Sequence, residues 1–233
     1  MFLAEMFGTM ILVLFGDGVV ANVVLNKTKG QNSGWIVITA GWAFGVMSGI
    51  FVSVALKGPG SLNPAGQIVG IMRGGNVNTA LLNIAGEFVG AFIGAVLVWL
   101  AYLPHWSETA DKGLKLAVFS TGPAIRNPAM NLLTEAIATF ALIFIATSIG
   151  KATAVAGVEP YLIAALIWGL GLSLGGPTGY ALNPARDLGP RIAHFLLPIA
   201  DKGDSDWAYS WVPVVGPIIG AVVAALLLTA LGV

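Results

Sequence analysis

Of the 233 residues, 57% are hydrophobic and only 9% are charged; mean hydropathy is +0.87 and the formal net charge is zero. A soluble domain carries about 25% charged residues, so composition assigns this chain to the membrane. The absence of cysteine excludes disulfides and thiolate metal sites, and two histidines, His105 and His194, are too few for a histidine-built metal site. Zero net charge argues against a nucleic-acid partner, and no cofactor is expected.

A spanning helix needs about 20 mostly apolar residues. The first such stretch is Met1–Leu25, which lacks a basic lead-in and carries Glu5, so it is read as a retained helix rather than a cleaved signal. Trp35–Leu56 follows. A Gly/Pro-rich break at Lys57–Leu62 then leads into Asn63-Pro64-Ala65 and an apolar piece, Pro64–Met72, that is too short to cross. Thr79–Tyr102 is the third span, with small residues at Gly86, Gly90 and Gly94 that suit close helix contact. A long hydrophilic connection, Leu103–Asn127, divides the chain. Beyond it come spans at Met130–Ile149 and Tyr161–Leu174, a second break, a second Asn-Pro-Ala at Asn183-Pro184-Ala185, and a second short piece, Pro184–Phe195. Trp207–Val233, with Gly216 and Gly220, is the sixth span. The other connections are Asn26–Ser33, Gly150–Pro160 and Pro198–Asp206.

The halves match. Glu5-x-x-x-Thr9 opens the first and Glu135-x-x-x-Thr139 the second. Each half reads helix, helix, re-entrant half-helix, helix. Three full spans per half place the second half upside down, so the half-helices enter from opposite faces and meet at the centre. The expected fold is an all-α membrane protein with six spans and two half-helices, in one channel domain over 1–233. Its inverted repeats cover approximately 1–105 and 130–233. Proline suits a first helical turn, where its missing N–H would be unpaired anyway. Asparagine is a good N-cap whose amide can also donate to a solute. Half-helices in matching positions of two halves point to a site near the bilayer midplane. A third copy, Asn127-Pro128-Ala129, lies in the polar connection without a counterpart and is read as a loop-to-helix junction.

Arg186, inside an apolar stretch, is functional by default because an intramembrane charge is costly. The bland alternative is a structural pair with Asp187. Glu5 and Glu135, read as the only acids in their helices, invite a carboxylate-pair or proton-relay reading. The favoured reading is structural: each accepts hydrogen bonds from the backbone of its re-entrant loop. Glu87 either braces the first loop or is protonated. Trp99, Trp106, Trp207 and Trp211 are read as interfacial anchors, and His194 as the end of the second half-helix.

These motifs, the Ala4-Glu5-x-x-Gly8-Thr9 start, and the run Asn183-Pro184-Ala185-Arg186-Asp187-Leu188-Gly189-Pro190-Arg191 are carried over essentially the whole length. The chain resembles the major intrinsic proteins, the aquaporins, and looks most like their glycerol-facilitator branch. Asp187, Arg191, Pro213 and Val214 match positions that mark that branch. The resemblance implies a constriction at Trp42, Gly171, Tyr180 and Arg186, in which glycine leaves room and the aromatics form an apolar wedge. It also implies loop carbonyls along the path from Pro59, Gly60, Ser61 and Leu62, and from Gly179, Ala181 and Leu182. Loop support would come from Glu5, Glu135 and Asp187. Departures are Ser61 where the family usually has histidine, Gly66 where a β-branched residue is common, and Tyr180 for a usual phenylalanine.

The implied function is a passive channel, not an enzyme, in a cell membrane, with a bacterial cytoplasmic membrane suspected. It would pass glycerol, other small neutral solutes and water while excluding protons and ions, and would assemble as a homotetramer. A channel tuned to water or lactic acid, a secondary transporter and a membrane enzyme are the alternatives.

Overall fold

Long apolar runs with few helix breakers leave the backbone one way to satisfy its hydrogen bonds in lipid, the α-helix. The computed structural model describes residues 1–152, 155 and 157–233, and among these every regular element is a helix. The first half contains α1 (Phe2–Val24), α2 (Trp35–Ala55), α3 (Pro64–Met72) and α4 (Val77–Ala101). The connection contains α5 (Leu103–Glu108) and α6 (Lys112–Phe119). The second half contains α7 (Pro128–Ala152), α8 (Glu159–Leu174), α9 (Pro184–Leu196) and α10 (Val212–Ala230).

Five helices, α1, α2, α4, α7 and α10, are long and apolar enough to cross a membrane. The sixth expected span, α8, has 16 residues. At 1.5 Å per residue that is about 24 Å, short of a hydrocarbon core of about 30 Å. The connection expected at Gly150–Pro160 includes Thr153, Ala154 and Ala156, which lie outside the described residues.

Equivalent helices make equivalent contacts. α1 packs on α2 and α4, while α7 packs on α8 and α10; α2 and α8 meet across the centre. α3 and α9 both lie between α4 and α10. Glycine permits these approaches. A Cβ on Gly90 of α4 would sit 2.1 Å from the Met6 carbonyl oxygen of α1. One on Gly220 of α10 would sit 2.2 Å from the Ala136 carbonyl oxygen of α7.

The central connection departs from the hydrophilic loop expected. It folds into α5 and α6, and buries Trp106, Lys115, Val118 and Phe119. Trp106 is 2% exposed, stacks on Phe119 and donates its indole N–H to the Trp99 carbonyl at 2.9 Å, so it is a packed side chain and not an interfacial anchor. Trp207 and Trp211 do stand exposed. Lys115 reaches back to the Ala200 carbonyl, fixing this connection to the loop after α9. Asn127-Pro128-Ala129 starts α7, with the Asn127 side chain accepting from the Met130 N–H, and lies at the exposed end of the helix.

Candidate pore

Each re-entrant loop arrives at its asparagine through a leucine in the left-handed region, Leu62 at φ 53° and Leu182 at φ 55°. A carboxylate holds each bend. Glu5 accepts from the Ser53 hydroxyl at 2.5 Å and from the N–H groups of Gly60 at 3.1 Å and Leu62 at 2.7 Å. Glu135 accepts from the Thr178 hydroxyl at 2.6 Å and from the N–H groups of Ala181 at 3.0 Å and Leu182 at 2.9 Å. Each acid, wholly buried, thus satisfies one hydroxyl and two backbone donors. Ser53 and Thr178 carry no sequence signal that separates them from other helical or loop hydroxyls.

Asn63 and Asn183 cap α3 and α9, each followed by a proline at the first helical position. The Asn63 side-chain oxygen accepts from the Ala65 N–H at 2.9 Å; that of Asn183 accepts from Ala185 at 3.0 Å and Arg186 at 3.2 Å. Pro64, Ala65, Pro184 and Ala185 are buried in the turns so formed. The amide nitrogens cross the midline. Asn63 donates to the Leu182 carbonyl at 2.9 Å, and Asn183 donates to the Leu62 carbonyl at 2.6 Å. Each amide keeps a second N–H. The Leu62 and Leu182 carbonyls, expected to serve a solute, are therefore engaged by the opposite asparagine.

A cavity of about 440 Å³ adjoins both asparagines and Arg186. Trp42, Val46, Ile50 and Val54 line it at every fourth residue of α2, a stripe about 18 Å long at helical rise. Leu12, Leu142, Ile143, Ile163 and Ile167 continue the apolar wall, and Pro59, Gly60, Ser61, Gly179 and Ala181 lie along the loops opposite. Ser61 and Gly66 are matched to each other: a Cβ on Gly66 would meet the Ser61 hydroxyl oxygen at 2.7 Å. The two departures from the family pattern around the first motif thus fill one space.

The Arg186 guanidinium lies over the Trp42 ring, 3.9 Å from its centroid, and donates to the Phe119 carbonyl at 3.2 Å. Tyr180 stands beside them, edge-on to Trp35 at 5.8 Å. Trp35, which no motif singles out, donates its indole N–H to the Gly171 carbonyl at 3.0 Å. Gly171 does not itself line the cavity: a Cβ there would meet the Tyr180 ring carbon Cζ and the Thr39 methyl, each at 2.8 Å. The room this glycine leaves is taken by the Tyr180 ring.

Asp187 supports neither its own re-entrant loop nor Arg186. One of its oxygens accepts from Arg191 Nε at 3.0 Å and Nη2 at 2.8 Å; the other accepts from the Thr121 backbone N–H at 2.7 Å and hydroxyl at 2.6 Å. It ties α9 to the end of the central connection instead. The acid facing Arg186 is Asp17, a second acid in α1 that the reading of Glu5 passed over; its Oδ1 lies 3.8 Å from Arg186 Nη1. Glu87 accepts from the Gln67 side chain of α3 at 2.9 Å. His194 ends α9, bonded to Ser205 at 2.8 Å. Outside the spans, the Lys202 ammonium closes the same helix end by donating to the carbonyls of His194, Phe195 and Leu197.

The family model for major intrinsic proteins matches residues 1–228. The chain belongs to the major intrinsic protein family. This membership and its long apolar helices make it a multi-pass membrane protein. It is 53% identical to a probable glycerol uptake facilitator protein of Thermotoga maritima over 97% of each chain. It is 50% identical to glycerol uptake facilitator protein 3 of Lactiplantibacillus plantarum, over 98% of this chain and 95% of that one. Among solved structures, the aquaglyceroporin from Plasmodium falciparum superposes with TM-score 0.83 at 26% identity, covering 97% of this chain and 93% of that chain. The inverted six-helix architecture with two half-helices is the fold of this family.

Proposed function

We propose that this major intrinsic protein is a passive channel for glycerol and other small uncharged solutes, with water. The observation that carries it is the cavity lined by both asparagines, Arg186, Trp42 and Tyr180 together with the apolar stripe of α2, in a chain so close to glycerol uptake facilitators. On one wall, the free amide N–H groups of Asn63 and Asn183 and the unengaged N–H groups of Arg186 are donors. The carbonyls of Pro59, Gly60, Ser61, Gly179 and Ala181 are acceptors. The α2 stripe faces the carbon backbone of a polyol. Polar atoms on one track replace the hydration a neutral solute loses, which costs several kcal/mol per unpaired group if left unreplaced. An ion loses far more than this track returns.

Trp42, Tyr180 and Arg186 set the width, with Gly171 acting through the seat it gives Tyr180. The N-terminal ends of α3 and α9 each carry about half a positive charge. They converge on the asparagines and, with Arg186, oppose protons and cations. Residues 1–233 form one transmembrane channel domain that works without a cofactor or catalysis and assembles as a homotetramer with a pore in each protomer. Proteoliposomes in a stopped-flow instrument test this. Shrinkage followed by rapid reswelling in a glycerol gradient, with no proton or sodium current, is the expected result. Measured ion conductance, or gradient-coupled saturable uptake, overturns it. Running water, urea and lactic acid alongside ranks the neutral solutes.

A further inference from the structure

Asp17 is wholly buried in the middle of α1, within Gly16-Asp17-Gly18. Neither of its carboxylate oxygens meets a hydrogen-bond donor among the described residues. Leaving a buried acid without donors is costly, and α1 needs no acid there: its neighbours are glycine and valine in an apolar run. The cation it faces is Arg186, at 3.8 Å. The remaining acid near that guanidinium, Asp187, already has its oxygens committed to Arg191 and Thr121. Arg186 itself has a single side-chain hydrogen bond among the described residues, to the Phe119 carbonyl.

Two consecutive residues of α1 thus address the two members of one stacked pair. Gly16 seats the Trp42 ring, since a Cβ there would lie 2.1 Å from ring carbon Cζ3. Asp17 faces the guanidinium that lies over that ring at 3.9 Å. We propose that Asp17 is a positioning residue for Arg186: its charge, set behind the constriction, holds the guanidinium against Trp42 and so determines how the channel discriminates glycerol from water. With Asp17 present the guanidinium is drawn to one place by an opposite charge. Without it, one neutral hydrogen bond and the ring face hold a cation on a long flexible stem, and the gap it guards widens and narrows.

The proposal rests on the channel reading, and the test separates the two. Glycerol and water permeabilities are measured in proteoliposomes for the wild type, Asp17→Asn, Asp17→Val, Arg186→Ala and the double variant Asp17→Asn/Arg186→Ala. Asparagine keeps the shape of aspartate and removes its charge; valine removes the polarity as well. Both single variants at Asp17 are expected to lower the glycerol-to-water ratio at least threefold. Asp17→Asn should add no further change in the Arg186→Ala background, because the coupling runs through that side chain. A wild-type ratio in Asp17→Asn overturns the proposal, as does an equal effect in both Arg186 backgrounds, which marks a packing role. Removing one partner of a buried ion pair leaves the other charge uncompensated and can destabilise the fold, whereas the double variant removes both charges. Should Asp17→Asn fail to fold, Asp17→Val carries the same cycle. A wild type impermeable to glycerol overturns the channel reading instead.

Discussion

Leucine is a poor residue for a left-handed backbone, at about 1–2 kcal/mol each. Yet Leu62 and Leu182 both adopt it, one residue before each asparagine. The bend persists because every polar group of these leucines is bound: the N–H by Glu5 or Glu135, the carbonyl by the opposite asparagine. Charged acceptors of this kind contribute about 1.5–3 kcal/mol per bond, enough to outweigh the strain. Tyr180 shows the opposite condition. Its hydroxyl is buried and has no partner among the described residues, and a buried unpaired hydroxyl costs about 1–3 kcal/mol. Tyr180→Phe should therefore raise the melting temperature of the detergent-solubilised protein. Because the hydroxyl does not reach the open path, the glycerol-to-water ratio should stay within about twofold of wild type on the wedge geometry alone. A larger change would place the hydroxyl in contact with solutes. The asparagines, Glu5 and Glu135 were legible in the sequence because their spacing repeats in two halves. Asp17 carried the same signal as Arg186, a charge inside an apolar run, and was passed over only because it has no repeat in the second half; Asp187 misled because adjacency in sequence to Arg186 says nothing of which cation it meets.

Helix spans were readable from hydropathy because lipid leaves few alternatives, and the half-helices from proline after asparagine. The connection between the halves was not. Its charges suggested solvent, whereas α5 and α6 use polar faces outside and bury Trp106, Lys115 and Phe119 beneath. Amphipathic pieces of six and eight residues are too short to show a period. They matter, since Phe119 supplies the carbonyl that holds Arg186. Packing of the spans depends on glycine at matched places. Gly90→Ala would drive a methyl into the Met6 carbonyl of α1, and Gly220→Ala into the Ala136 carbonyl of α7. Each should lower the melting temperature sharply or abolish recovery of monodisperse protein. Gly169 of α8 has nothing within 4 Å of the added methyl. Gly169→Ala should leave the protein intact and gain up to about 1 kcal/mol from helix propensity. Equal losses at all three positions would show that the close approaches do not hold the spans together.

At the scale of the whole molecule, the two halves are not two modules that touch. Each contributes a half-helix, a bracing acid and a bent loop, and each leaves one amide and one carbonyl for the other to fill. If the chain is produced as two pieces, 1–127 and 128–233, so that α5 and α6 stay with the first, neither alone should give protease-resistant, glycerol-permeable protein, whereas co-production should restore both. Activity from either half alone would show that the midline bonds are dispensable. The pair of bonds from Asn63 to the Leu182 carbonyl and from Asn183 to the Leu62 carbonyl also has a meaning for biogenesis. While only the first half has been synthesised, its loop stands at membrane depth with both groups open, and unmet polar groups in hydrocarbon favour withdrawal. The second half arrives bearing the complementary pair in inverted order. The midline closes only when both halves have inserted with opposite orientation, so a half inserted the wrong way round leaves four polar groups unmet.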